Sequence, residues 1–313
     1  MKIVFQMEML EDTNPESNHS LTLIHESCKR GHEVYQYHPN EIYWKNGVIA
    51  ANARRINVDL KKTPHYEIYE ETTLDLKQVD VIMFRQDPTE DMEYITNTYM
   101  LERLEKHTLV VNNPKYIREL PDKFYPLDFQ EFMPPTLITS STHEISSFLT
   151  EHKDIVIKPL YGFHGYGIER FSSNKLLIEF LENNTETYIV QPFLKEIKQG
   201  NKRVLFLDGE ISRSIITVPA EDEYKIYRNS TDHAYELTER EMEICKDIGK
   251  SLKEKDLLFV GIDLIGEYLT EINLGSVGSI KRINEIYNIN YEKEIIDLVE
   301  IKLAEFNEVT KSV

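Results

Sequence analysis

The sequence is short of cysteine. Two thiols, Cys28 and Cys245, in 313 residues are too few to staple a disulfide scaffold. Both fall in helix-like stretches and read as reduced thiols of a cytoplasmic protein. Basic residues are scarce beside acids: 36 Lys and Arg against 54 Asp and Glu leave a net charge of −18. No basic surplus exists to neutralise a phosphate backbone, which argues against nucleic-acid binding. No run of about 18 apolar residues occurs, so no membrane-spanning helix is expected. The first residues pass from a strand into acids, not into the apolar core of a signal peptide. There is no Gly-x-Ser-x-Gly elbow, no cysteine-centred signature and no histidine pair at metal-ligand spacing. A Walker loop and a Gly-x-Gly-x-x-Gly after the first strand are both missing. Repeats and low-complexity tracts are missing too. At this length two or three domains are expected.

What is present begins with residues 259–273, two strand-like runs joined by a glycine-containing turn, with acids in apolar sequence. Glu271 and Asn273 are two apart and share a strand face. A three-residue turn over residues 266–268 would set Asp263 opposite Glu271 on that face. Carboxylates this close raise one another's pKa unless a cation neutralises them. Hard oxygen donors suit magnesium or manganese. The same acids also read as the wet face of a half-exposed hairpin.

A second element is remote in sequence. The β-branched run Ile155, Val156, Ile157 predicts a buried strand ending at Lys158. Gly162, Gly165 and Gly167 follow, and a second strand-like run comes after them. Glycines let backbone N–H groups approach a phosphate, and a lysine supplies a point charge. A loose hairpin loop is the plain alternative, but a lysine closing a buried strand is rarely without a partner. Residues 188–194 form an apolar strand ending in Gln-Pro. There Gln191 and the backbone at Phe193 and Leu194 read either as an adenine edge or as ordinary core.

The first third alternates strand and helix signals, which implies an α/β layer with parallel strands. Strands are predicted at residues 3–7, 33–37, 79–84 and 109–112, and helices at 21–29 and 95–106. Asn46-Gly47 predicts a type I′ hairpin turn. Arg85 and Asp87 follow a strand at the carboxyl end, where such sheets gather ligands; a turn set by Asp87-Pro88 reads equally well. Asp122 is expected to cap a helix carrying Lys123. Asp208-Gly209 predicts a hairpin turn. Residues 218–236 are polar and glycine-free and read as a loop. Thr238 with Glu241 three later predicts a capping box, and residues 291–306 a final helix.

Strand-lysine, glycine loop, Gln-Pro-Phe-Leu linker, Lys-Arg-Val strand and Asp…Glu-x-Asn hairpin, in that order, resemble the ATP-grasp superfamily. Arg85-Gln86-Asp87-Pro88, residues 99–103, residues 155–160, Lys202-Arg203-Val204-Leu205 and residues 259–273 are similar to bacterial glutathione synthetase. The likeness runs through nearly the whole chain. It implies an α/β (α+β) fold. An N-terminal α/β pre-ATP-grasp domain would span residues 1–119, a central ATP-grasp lid subdomain 120–194, and a C-terminal subdomain with the metal site 195–313.

The resemblance also implies a chemistry: ATP-dependent joining of γ-glutamylcysteine and glycine through an acyl-phosphate, with ADP and phosphate released. Lys123 and Lys158 match nucleotide-phosphate lysines, and Lys158 with Arg203 would act at the transferred phosphate. Gly162, Gly165 and Gly167 fall in the phosphate-covering loop, and Gln191, Phe193 and Leu194 in the adenine linker. Asp263, Glu271 and Asn273 match ligands of Mg²⁺ (or Mn²⁺), with two ions implied. Arg85, Asp87, Arg203, Arg228 and Asn229 fall in substrate-binding positions. A cytoplasmic homo-oligomer acting on small molecules, with neither nucleic acid nor membrane as partner, is implied. The chain departs from the family pattern at residues 218–236, at His164, and at Gly275-Ser-Val-Gly278. These departures leave open another carboxylate–amine ligase. A non-catalytic ATP-binding protein is a third reading, which Lys158 and the acidic set argue against.

Overall fold

The computed structural model describes residues 1–87, 91–162, 165–221, 223–226 and 229–311. Among these residues the strands form three sheets. The first holds β1 (Lys2–Gln6), β2 (Glu33–Tyr37), β3 (Ile42–Lys45), β4 (Val48–Val58), β5 (Tyr66–Asp75), β6 (Val81–Phe84) and β7 (Leu109–Val111). Its order is β3-β4-β2-β1-β6-β7, with β5 paired to β4. β1 runs parallel to β2 and β6, and β6 parallel to β7. Helix α1 (Ser20–Lys29) connects β1 to β2, α2 (Met92–Glu102) connects β6 to β7, and α3 (Pro114–Glu119) follows β7. Asn46 (φ 52°) and Gly47 (φ 88°) form the type I′ turn between β3 and β4.

The second sheet, order β10-β9-β11-β8, contains β8 (Leu137–Thr139), β9 (Ile155–Pro159), β10 (Glu169–Phe171) and β11 (Tyr188–Pro192). Helices α4 (Thr142–His152) and α5 (Asn174–Glu182) cover it. This lobe has its own core, in which Ile145, Ile155, Ile157, Leu177 and Val190 are fully buried. The third sheet, order β14-β13-β12-β15-β16, contains β12 (Asn201–Leu207), β13 (Glu210–Val218), β14 (Thr231–Ala234), β15 (Phe259–Ile265) and β16 (Tyr268–Asn273). Helices α6 (Glu239–Glu254), α7 (Ile280–Tyr287) and α8 (Tyr291–Lys311) pack with it. Alternation along each strand sends Val4 and Ile82 to one face and Ile3 and Val81 to the other. Both faces merge with side chains of the third sheet, Val204 and Ile262 on one side and Leu205 and Phe259 on the other. The first and third sheets therefore share their cores, and the second stands apart.

Three expectations need correction. The turn between β15 and β16 has two residues, because Ile265 pairs with Tyr268. Gly266 has φ +59°, the position a type II′ turn reserves for glycine. A bulge between Asp263 and Leu264 then restores the pairing of Asp263 with Glu271. Asp122 does not cap a helix carrying Lys123. Its carboxylate accepts from the Leu274 N–H (3.1 Å) and its carbonyl from the Ile272 N–H (3.0 Å), and Lys123 lies on a turn before the 3₁₀ helix Tyr125–Phe132. Residues 218–236 are not simply a loop, since β14 pairs there with β13.

The predicted capping box is present: Thr238 accepts from the Glu241 N–H, and Glu241 accepts from the Thr238 N–H (2.9 Å). Glu241 is buried and also ion-paired with Lys202, which donates to the Gly266 carbonyl (2.8 Å). One carboxylate thus ties α6 to β12 and, through Lys202, to the turn of the β15–β16 hairpin. Burial alone would raise the Glu241 carboxyl, but Lys202 and the Thr238 N–H hold it below its ordinary 4.5. Its stabilisation is complete above that value and is lost as pH falls through the lower folded-state value. Glu241→Ala leaves the Lys202 ammonium without its counter-ion and is expected to cost about 3–5 kcal/mol in urea unfolding at pH 7. The deficit should shrink as pH falls below the ordinary carboxylate value.

Candidate active site

The site lies where the three sheets meet. From the third sheet, Asp263 on β15 and Glu271 and Asn273 on β16 present oxygen atoms on one face. Asn273 donates through Nδ2 to the Gly261 carbonyl (3.4 Å) and to Asp263 Oδ2 (3.5 Å), which leaves its amide oxygen as a donor atom for a cation. Two carboxylates and an amide are the hard oxygen set that suits a divalent cation sharing its remaining positions with phosphate oxygens and water. Asp263 is 5% exposed. Burial would raise it, but the Arg203 guanidinium and the Asn201 amide hold it below the ordinary carboxylate value. Arg203 grips it with both arms, Nε to Oδ1 at 2.6 Å and a terminal nitrogen to Oδ2 at 2.7 Å. The strand register sets this contact, since Arg203 on β12 pairs directly with Asp263.

Lys123 reaches the same centre from the chain before the 3₁₀ helix. Its ammonium lies 3.3 Å from Glu271 Oε1 and donates to the Gly162 carbonyl of the glycine loop. Lys158 arrives from β9 of the second sheet and donates to Gln191 Oε1 on β11 (3.2 Å). Burial lowers the Lys158 ammonium, Glu271 and Asp263 raise it, and Lys123 lowers it. These four charged groups therefore feel one another across two lobes, which is the juxtaposition a metal–triphosphate needs. Gly165 and Gly167 have φ of +75° and +71°, and a Cβ on Gly167 would collide with the Pro159 ring.

The Gln-Pro-Phe-Leu segment is more occupied than its sequence suggests. Gln191 is buried and donates to Thr136 Oγ1 (3.0 Å) while holding Lys158. The Phe193 N–H is spent on the Asp154 carbonyl (2.9 Å), and its ring carries the Arg170 guanidinium at 3.6 Å and the Tyr224 ring at 5.9 Å. Leu194 directly precedes the 3₁₀ helix Lys195–Gln199.

At the carboxyl end of β6, Arg85 is 3% exposed and burial lowers it to about 10. It donates to Ser20 Oγ (3.0 Å) and to the Val277 carbonyl (2.9 Å), joining α1 to the chain beyond the hairpin. Asp87 lies beside Glu8, whose carboxyl is raised by burial and then by the Asp87 charge. Glu8 was not singled out from sequence, although it follows β1 as Asp87 follows β6; the carboxyl-end rule applied to both strands would have found it. His19, next to Ser20, is likewise a neighbour of Arg85 and Arg203 that no motif marked. Asn229 is exposed just before β14. Pro88, His164 and Arg228 lie outside the described residues.

Family models match twice: the prokaryotic glutathione synthetase N-terminal domain over residues 1–118, and its ATP-grasp domain over residues 122–288. The chain is 36% identical to glutathione synthetase of Rhodopseudomonas palustris over 311 residues, 97% of this chain and 99% of the relative. It is 38% identical to that of Mesorhizobium japonicum over 309 residues, 96% of this chain and 99% of the relative. Among solved structures, D-cycloserine synthetase DcsG superposes with a TM-score of 0.64 at 15% identity, covering 96% of this chain and 99% of that one. That likeness carries the fold alone. No described helix is long and apolar enough to cross a membrane. With both family domains matched in order along the chain, and relatives above 30% identity along its length, this protein belongs to the prokaryotic glutathione synthetase family.

Proposed function

We propose that the chain joins γ-glutamylcysteine to glycine at the expense of ATP, as a cytoplasmic homo-oligomeric enzyme. The observation that carries the reading is the meeting of Lys123, Lys158 and Arg203 with Asp263, Glu271 and Asn273. Asp263, Glu271 and Asn273 would hold the divalent metal, Mg²⁺ with Mn²⁺ as a substitute, as two ions. Bound there, the metal would neutralise phosphate oxygens and hold them in line.

The cysteinyl carboxylate oxygen attacks the γ-phosphorus and ADP leaves. The glycine amine then attacks the acyl carbon, a C–N bond forms, phosphate departs, and the amine sheds a proton. No protein nucleophile is needed, so catalysis rests on positioning and charge. Lys123 and Lys158 hold phosphate oxygens, and the backbone at Gly162, Gly165 and Gly167 covers them. Gln191, Phe193 and Leu194 line the adenine, with Gln191 also aiming Lys158. Arg203 balances charge between Asp263 and the transferred phosphoryl group. Arg85, Asp87, Arg228 and Asn229 serve the peptide substrates.

The residues at 218–236 and 275–278 favour, as a second reading, the same chemistry with another acceptor. An ADP-release assay decides between them. The expected result is ADP formation that requires γ-glutamylcysteine and glycine together and stops on chelation of divalent metal. Turnover only with a different acid or amine supports the second reading. No ADP with any such pair refutes both.

A further inference from the structure

His19 is unused in the scheme above, yet it sits beside the groups that carry it. It immediately precedes Ser20, which Arg85 binds, and Arg85 also binds the Val277 carbonyl. Arg85 therefore clamps the start of α1 against residues 275–279, the chain that leaves the hairpin just after Glu271 and Asn273. Within this clamp the imidazole lies against Gly278. A Cβ there would stand 3.1 Å from its Cδ2 and 3.4 Å from its Nε2. Gly278 is not in the left-handed backbone region, so glycine serves there for space and not for conformation. The Nδ1 atom faces the Lys281 N–H at 3.5 Å, which puts the ring proton on Nε2, on the Gly278 side.

The surroundings are cationic. Burial, then Arg85, Lys281, Arg282 and Arg203, push the imidazole down to about 3. The ring is neutral at working pH, so it adds a donor without adding another repelling charge. Arg203 is paired with Asp263 and Arg282 with Asp232, so the positive field at this neutral donor comes chiefly from Arg85 and Lys281, and together they make a seat for an anion. Arg203 also holds Asp263, so this seat adjoins the proposed metal ligands.

We propose that His19 is a specificity-determining residue for the amine substrate: its Nε2–H, packed beside Gly278, binds the carboxylate of an incoming amino acid that has no bulky side chain. The proposal rests on the ligase reading and names how that reaction selects its acceptor. His19→Ala is expected to raise the glycine KM about 10- to 100-fold, the worth of one hydrogen bond to a charged group. The KM values for ATP and γ-glutamylcysteine should not move, and kcat should change less than about threefold. Preference for glycine over glycinamide should collapse. His19→Gln keeps a donor at similar reach and should recover most of the loss. Gly278→Ala should mimic His19→Ala alone, yet add little in the double variant, where the methyl occupies vacated space.

Calorimetry of glycine binding in the presence of Mg²⁺ and a non-hydrolysable ATP analogue reads the same point without turnover. Binding by the wild type that weakens in His19→Ala supports the assignment. Equal binding by both proteins, or none by the wild type, overturns it. So does a His19→Ala enzyme with an unchanged glycine KM, or a Gly278→Ala penalty undiminished in the double variant. Failure of the ligase reading is separate and appears as wild-type protein releasing no ADP.

Discussion

Arg203→Ala is expected to lose about a thousandfold in the rate of ADP formation and to unfold more easily before any substrate is added. The two losses have different origins. In the role proposed for Arg203, a guanidinium aimed at developing phosphoryl charge is worth about 10²–10³ in rate when removed. Structurally, Asp263 sits 5% exposed, and both of its oxygens are held by Arg203. Deleting one partner of a buried pair costs about 3–5 kcal/mol, because the surviving charge remains buried. A divalent cation separates the effects. Asp263 then regains a counter-charge, so Mg²⁺ should return much of the lost thermal stability to the variant while leaving turnover low. Arg203→Lys should fall between, since an ammonium cannot make the two-armed contact. Thermal melts with Mg²⁺ and with chelator, beside the ADP assay, check this. An Arg203→Ala protein as stable as wild type in chelator would show that the pair does not hold the hairpin.

The parts legible in the sequence were those whose chemistry is local. Asn46-Gly47 announces its turn because two adjacent left-handed residues have few other uses. Thr238 and Glu241 announce a helix start because the capping exchange lies within four residues. Lys158, Asp263 and Glu271 stood out as charges ending or interrupting apolar strands. What stayed hidden depends on contacts between distant segments. The pairing of Asp263 with Glu271 was expected by way of a three-residue turn; the chain reaches it through a two-residue turn and a bulge, and Thr270 Oγ1 donates to the Asp263 carbonyl (3.1 Å) beside that bulge. Thr231–Ala234 carries no apolar alternation, so only its neighbour β13 makes it a strand. Asp122 has the residue type of a helix cap, but the nearest orphan N–H belongs to Leu274, far along the chain. The bridge from Lys123 to Glu271 and the facing of His19 with Gly278 follow from how the sheets pack, which no periodicity encodes.

Lys158→Met should separate stability from ligand binding in the opposite sense to Arg203→Ala. Lys158 is half-buried, and burial is the largest influence on its ammonium, opposing the charge. Among the described residues its ammonium donates one hydrogen bond, to the Gln191 amide oxygen at 3.2 Å. Removing the ammonium leaves that buried oxygen short of a donor, which costs about 1–3 kcal/mol. It also relieves the burial of a charge, an effect of opposite sign and similar size. The free protein should therefore melt within a few degrees of wild type. The ligand response should change far more. Wild-type protein at ATP 100-fold above its Kd gains about 2.7 kcal/mol of stability. The variant should gain almost none of this, because the proposed phosphate contact is lost where Lys123 and the proposed metal ligands cannot replace it. Turnover should fall about a thousandfold, with the deficit shared between ATP binding and phosphoryl transfer. Scanning fluorimetry with and without Mg²⁺ and ATP reads the first quantity, and ADP release the second. A variant that keeps the full ATP-induced shift would remove Lys158 from the phosphate site and would break the link between the second sheet and the acidic hairpin on which the proposed chemistry stands.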